Sequence, residues 1–232
     1  MSEPCARINA IPLMKGGIPF TMSDLEILAF LDESKKPVRD AETGKVATSG
    51  EHYAVAAAII LSGEADKVRF QLRQLLNKVG HDLHYSQLGS RGRVSALTDI
   101  ATINEWDALI YETSRSVPVQ RPERRTRARL LTVAFPELAH RQGVRKITLE
   151  TRATPVKGFT TLDEHDHATW RSLIDRGLVP PGRVIVHGDK TEPLLWIADL
   201  IAGARTDYLC GVDRSMYPLI AHRVTNISVI EC

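Results

Sequence analysis

Three carboxylates stand where apolar residues would be expected. Asp199 lies inside LLWIADLIAGA, where every other residue from 194 to 204 is non-polar. A helix that is apolar on all sides is a buried helix. A carboxylate inside one loses its hydration at a cost of several kcal/mol unless an arginine or a metal ion compensates. Small neighbours at Ala198, Ala202 and Gly203 would let another element approach closely. Two further acids close short apolar runs: Asp32, followed by Glu33, ends LEILAFLDE, and Glu150 ends KITLE. Alone, an acid at a strand end is usually the edge of a loop, and a single acid in a helix is as often half of a buried ion pair. Together they carry more. If the strand ends are neighbours the carboxylates converge, and like charges at close range raise one pKa unless a cation sits between them. Hard oxygen ligands in that number suit Mg²⁺ or Mn²⁺. These ions serve two-metal hydrolysis of phosphodiesters, one activating water and the other stabilising the leaving oxygen.

The elements that must position these acids follow from periodicity. Residues 25–34 are a short apolar run ending in acid, which reads as a buried strand. Asp32 shares parity with Leu28 and Phe30, and Glu33 with Ala29 and Leu31, so alternation does not choose which acid faces the site. Residues 35–51 are polar and contain Pro37, Gly44 and Gly50, the composition of a loop or an exposed hairpin tip, and 53–61 form a second buried strand, antiparallel to the first if that connection is short in space. Val68, Leu72, Leu75, Leu76 and Val79 recur at helical spacing, with Gly80 as the C-terminal stop. Further on, the pattern predicts a helix over 93–107 and a strand over 109–114. A helix starting at Pro122 is kinked or broken near Pro136. Next come a strand over 146–152, a helix over 162–177 closed by Gly177, a strand over 183–188 and an apolar helix over 193–211. A last strand falls near RVTNISVI. Strands first and helix–strand units afterwards point to one mixed sheet covered by helices. No internal repeat or domain boundary interrupts it.

Other residues compete for a chemical role. His81 and His84 form H-x-x-H, and His165 and His167 flank Asp166. A zinc site could use them, but the first pair lacks the spacing and the glutamate of a zincin helix. Loop histidines in water are the plainer reading of His165 and His167. Arg121, Arg125 and Arg129 fall near one helical face and could position nucleic-acid phosphates; a solvated helix face is the alternative. There is no glycine-rich phosphate loop and no serine nucleophile elbow.

Composition sets the frame. The chain has 232 residues, 43% hydrophobic and 25% charged, with a formal net charge of +2, as expected of an ordinary globular protein with no bulk electrostatic preference for a partner. Cys5, Cys210 and Cys232 form no C-x-x-C pair, which speaks against zinc ribbons and thioredoxin-like chemistry. The first residues lack a basic segment followed by a sustained apolar one, and no apolar run reaches the roughly 20 residues of a membrane span. A cytoplasmic protein with no membrane partner is the expectation.

LAFLDES, HDLHYSQL and EPLLWIADLIAGA resemble a bacterial group called domain of unknown function 3800, which is similar to the ribonuclease H-like superfamily. The resemblance is sharp over residues 26–34 and 192–204 and looser between them. It implies an α/β fold, a ribonuclease H-like mixed sheet with flanking helices in a single domain over residues 25–232, after an irregular lead-in over 1–24. By position, Asp32 would be the first-strand acid and Asp199 the late-helix acid, while Glu150 is placed by strand order. Asp82 could supply a fourth carboxylate, and His84 a proton shuttle or substrate contact. The resemblance implies a Mg²⁺- or Mn²⁺-dependent nuclease acting on RNA or DNA. The alternative is a non-catalytic nucleic-acid- or protein-binding domain on the same fold. Oligomeric state is left open.

Overall fold

A computed structural model of the chain describes residues 26–39, 43, 45–79, 83–113, 117, 123–152 and 161–229. The expected lead-in over 1–24, Gly80, His81, Asp82 and Arg121 lie outside them. The order of elements is β1 (Ile27–Arg39), β2 (Val46–Leu61), α1 (Ala65–Val79), α2 (Ser90–Ala101), β3 (Trp106–Thr113), α3 (Glu123–Pro136), β4 (Lys146–Glu150), α4 (Leu162–Asp175), β5 (Val184–Gly188), α5 (Pro193–Leu209) and β6 (Val224–Val229). One six-stranded sheet has the order β5-β4-β1-β2-β3-β6. β1, β2 and β3 form an antiparallel meander, β4 and β5 extend it in parallel beyond β1, and β6 runs parallel to β3. This is the mixed sheet with flanking helices that the resemblance implied.

Strand alternation divides the core in two. Phe30, Ala54, Ala56, Ala58, Ala108 and Ile110 pack under α1, α2 and α5. Ala29, Leu31, Val55, Ala57, Leu109, Tyr111, Ile147 and Leu149 pack under α3 and α4. The alanines of β2 have short side chains, so α5 can lie directly on β1 and β2 with Leu194, Leu195, Leu200, its isoleucines and Trp196 buried.

Two predicted boundaries shift. The segment expected to be a loop over 35–51 instead continues both strands, β1 as far as Arg39 and β2 from Val46. Pro37 permits this because of where it points. The N–H of Arg145 donates to the carbonyl of Ile27, and that of Arg39 to the carbonyl of Cys210. Odd-numbered residues of β1 therefore aim their backbone polar groups away from β2. β4 pairs only with residues 28–31 of β1, so a proline at 37 removes no ladder hydrogen bond. The helix expected over 93–107 ends at Ala101, and Trp106 already opens β3. The break foreseen near Pro136 is present: α3 ends there and passes into a π turn over Glu137–Arg141. Gly177, just past α4, has φ +70°, the left-handed conformation suited to a residue after a helix end.

Candidate acidic site

The parity left open by the sequence is resolved at the end of β1. Asp32 lies on the Phe30 face under α5 and is 3% exposed. Glu33 lies on the Leu31 face under α3 and α4, and binds there to Arg127. On β4, Glu150 has the parity of Thr148, which pairs with Phe30. One step further along this parallel register, Glu150 sits beside Asp32 beneath α5. The two carboxyls are hydrogen-bonded, and Asp199 of α5 adds its negative field to Asp32 from above.

The electrostatics follow from this crowding. Burial, the bond to Glu150 and the charges of Asp199 and Glu150 push the Asp32 carboxyl well above the usual range, against the opposing charge of Arg152. For Glu150, burial also opposes ionisation, but the bond from Asp32 and the cations Lys190 and Arg152 outweigh it and hold the carboxyl low. The ammonium of Lys190 stands 3.2 Å from Glu150 Oε1. Asp32 Oδ1 also accepts the N–H of Glu33 at 2.7 Å and faces Arg152 at 3.4 Å.

Asp199 differs from the fully buried acid expected of its helix. α5 is buried along most of its length, but Asp199 is only partly so, opening at the rim of the site. Its Oδ2 accepts the backbone N–H of Tyr85 at 2.6 Å, and the Nδ1 of His84 lies 3.5 Å away. The hydrogen bond to Asp199 raises the His84 pKa against the opposing effect of burial. Thus Asp32, Glu150, Asp199 and His84 are brought together from two strands, a helix and the segment that follows α1.

The rest of the same α5 face holds that segment in place. Gly203 and Asp207 follow Asp199 at intervals of four residues, so they share its face. The Tyr85 ring lies on Gly203, and its hydroxyl donates to Asp207 at 2.7 Å. Asp207, fully buried, also binds Lys36 and, at 3.2 Å, Arg93. Sequence reasoning missed Asp207. The signal was available, because one more turn along the helix from Asp199 and Gly203 reaches another acid.

A second charged cluster lies on the opposite face. Arg127, 2% exposed, grips Asp166 with two bonds of 2.9 and 2.8 Å and also binds Glu33. His187 Nε2 is 3.2 Å from Asp166. Asp163, Asp166 and His187 bring ligand atoms within 4.8 Å of one another, a grouping that could hold a metal ion. Its four carboxylate oxygens already accept protein donors. Asp163 takes the backbone N–H of Arg152 and the hydroxyl of Thr151, each at 2.7 Å, and Asp166 takes the Arg127 fork. Burial works against ionisation of Asp166, but Arg127 and His187 prevail and keep its carboxyl low. Arg127 thus belongs to the interior, although it sits among the arginines read as a phosphate-binding face. Arg125 and Arg129 are exposed on α3, on the side of the sheet away from α5. His165 and His167 belong to α4 rather than to a loop, and His167 meets the His187 ring edge-on at 5.0 Å.

No family model matches the chain, and no curated protein matches it. Among solved structures, it is similar to the PCNA:RNase HII complex from Archaeoglobus fulgidus. The identity is 16%, the match covers 83% of this chain and 77% of that one, and the TM-score is 0.43. It is also similar to the Q54A mutant of Bst-RNase HIII, at 15% identity and a TM-score of 0.42. There the match covers 78% of this chain and about half, 51%, of that one. Among the described residues, no helix is long and apolar enough to cross a membrane.

Proposed function

We propose that this chain is a divalent-metal-dependent nuclease that hydrolyses phosphodiester bonds of RNA or DNA, related to domain of unknown function 3800 and the ribonuclease H-like proteins. The observation that supports this reading is the approach of Asp32, Glu150 and Asp199 to one another, where burial and the neighbouring carboxyls push the Asp32 carboxyl well above the usual range. Asp32 is paired with Glu150 and feels the charge of Asp199, and hard oxygen donors of this kind would suit a small dication drawn between them. Asp32, Glu150 and Asp199 would hold Mg²⁺ or Mn²⁺, and the ion would supply Lewis acidity and an activated water. The Tyr85 N–H fixes the Asp199 carboxylate. Lys190 keeps Glu150 ionised from outside. His84, at the rim beside Asp199, is placed to carry a proton or touch substrate, and Asp82 precedes it by two residues.

The arginines of α3 enter as a second contact surface. Lys35 on β1 binds Glu123, the first residue of α3, at 3.1 Å, so α3 begins at the same edge of the sheet as Asp32. A nucleic acid lying over that edge would meet the acids on one side and Arg125 and Arg129 on the other.

Calorimetric titration of Mg²⁺ into the wild type and Asp199→Asn tests the reading. Saturable binding, weakened more than about tenfold by the substitution, is expected. Binding that ignores the substitution, or no binding at all, would leave a nucleic-acid- or protein-binding domain as the better description.

A further inference from the structure

Arg152 brings a guanidinium to the acids at the end of β1. It follows Glu150 by two residues, and its guanidinium lies between the two faces of β1, with Nη2 3.4 Å from Asp32 Oδ1 and Nε 3.4 Å from Glu33 Oε1. Neither this Nε nor the Glu33 oxygen that it faces makes a hydrogen bond among the described residues. The side chain is 35% exposed. Arg127, against the same Glu33, is the opposite case: its side chain is 2% exposed and bonded in a fork to Asp166. One arginine is therefore buried and tightly bonded, and the other is partly exposed and held by longer contacts.

The backbone beneath Arg152 is firmly set. Its N–H and the hydroxyl of Thr151 both bind Asp163, which α4 carries in its first turn beneath the capping box of Thr161 and Glu164. The guanidinium can leave the acids without any movement of the chain that bears it.

We infer that Arg152 is a displaceable counter-ion of the acidic site, yielding to the divalent cation and then binding a phosphate of the substrate; this rests on the metal-dependent reading above. Charge sets the order of events. The Arg152 guanidinium would be repelled from Asp32 once a dication were held there, and a phosphodiester would offer it a new anionic partner of matching fork geometry. A resident cation that must leave lowers apparent metal affinity by the fraction of molecules in which the site is open.

The test uses Mg²⁺ alone, titrated by calorimetry into the wild type, Arg152→Gln and Arg152→Lys, with circular dichroism to verify folding. Arg152→Gln should bind Mg²⁺ about fivefold more tightly, with Arg152→Lys between it and the wild type. For a labelled RNA–DNA hybrid, Arg152→Gln should raise KM about tenfold while kcat changes little. Its dependence of log KM on log salt should flatten by about one counterion. Mg²⁺ heat in the wild type without a gain in Arg152→Gln would overturn the counter-ion role alone, and an unchanged KM would overturn the phosphate contact. Absence of Mg²⁺ heat from all three proteins would overturn the metal-dependent reading and this inference with it. Should Arg152→Gln not fold, Arg152→Lys decides by the same comparison.

Discussion

The Tyr85 ring lies so close over Gly203 that a Cβ there would come within 2.3 Å of its Cδ1. Glycine at 203 is what allows the segment before α2 to settle on α5 and deliver the Tyr85 N–H to Asp199. Gly203→Ala should therefore destabilise the protein by about 1–3 kcal/mol, as overpacked cores do. It should also weaken Mg²⁺ binding, although residue 203 carries no ligand atom. Urea denaturation and calorimetry on the same preparation measure both effects. A stable Gly203→Ala protein with wild-type metal affinity would detach the segment from the site.

Asp32 illustrates a cost of assembling the site. Its folded pKa is raised, so the favourable protonated state is fully present below the unfolded value, and that stability is lost as pH rises through the folded one. Asp32→Asn removes the loss. In EDTA, the melting temperature of Asp32→Asn should equal or exceed that of the wild type, with the gap widening as pH increases. Added Mg²⁺ should then raise the Tm of the wild type and not of the variant. Thermal melts from pH 4 to 8, with and without Mg²⁺, provide the check, and a less stable Asp32→Asn in EDTA would count against a raised Asp32 pKa.

For His84 the sign is opposite in charge but similar in pH. Its folded pKa is raised by Asp199, so its contribution is fully present below the unfolded value of about 6.5 and is lost as pH rises through the folded value. Titration of the ring by NMR should give a pKa above the ordinary histidine value in the wild type. In Asp199→Asn it should fall towards or below that value. An identical His84 titration in both proteins would remove the pair from the site.

Arg127 should behave as a structural residue. Arg127→Met leaves Asp166 and Glu33 buried without their partner, and breaking a buried pair in this way costs about 3–5 kcal/mol. Asp199→Asn should cost far less, since a partly buried asparagine at the rim still accepts the Tyr85 N–H. Chemical denaturation of the two variants side by side should rank them in that order. The reverse ranking would make Asp199 the structural acid.

Much of this was legible from residue patterns. The apolar run around Asp199 identified a buried helix, and the acids closing KITLE and LEILAFLDE marked two strands that lie side by side. What alternation could not supply was the face. Asp32 and Glu33 are equally plausible until β4 and α5 are known to share the Phe30 side. Arg127 was unreadable for a related reason. Its neighbours at 125 and 129 are exposed, and only the packing of α4, with Asp166 opposite, removes one arginine of the cluster from solvent. Pro37 misled because a proline reads as a strand breaker unless its nitrogen is known to face an open edge. The register between β1 and β4 determines that, and it is set by residues more than a hundred positions apart.

The most direct measurement is a cleavage assay on labelled single-stranded, duplex and hybrid nucleic acids in Mg²⁺, Mn²⁺ and EDTA, with the wild type, Asp32→Asn and Asp199→Asn. The expected result is cleavage of at least one substrate that requires the metal and is lost in both variants, while their folding is retained. Cleavage that persists in EDTA or in either variant would contradict a site built on Asp32, Glu150 and Asp199, as would no cleavage of any substrate.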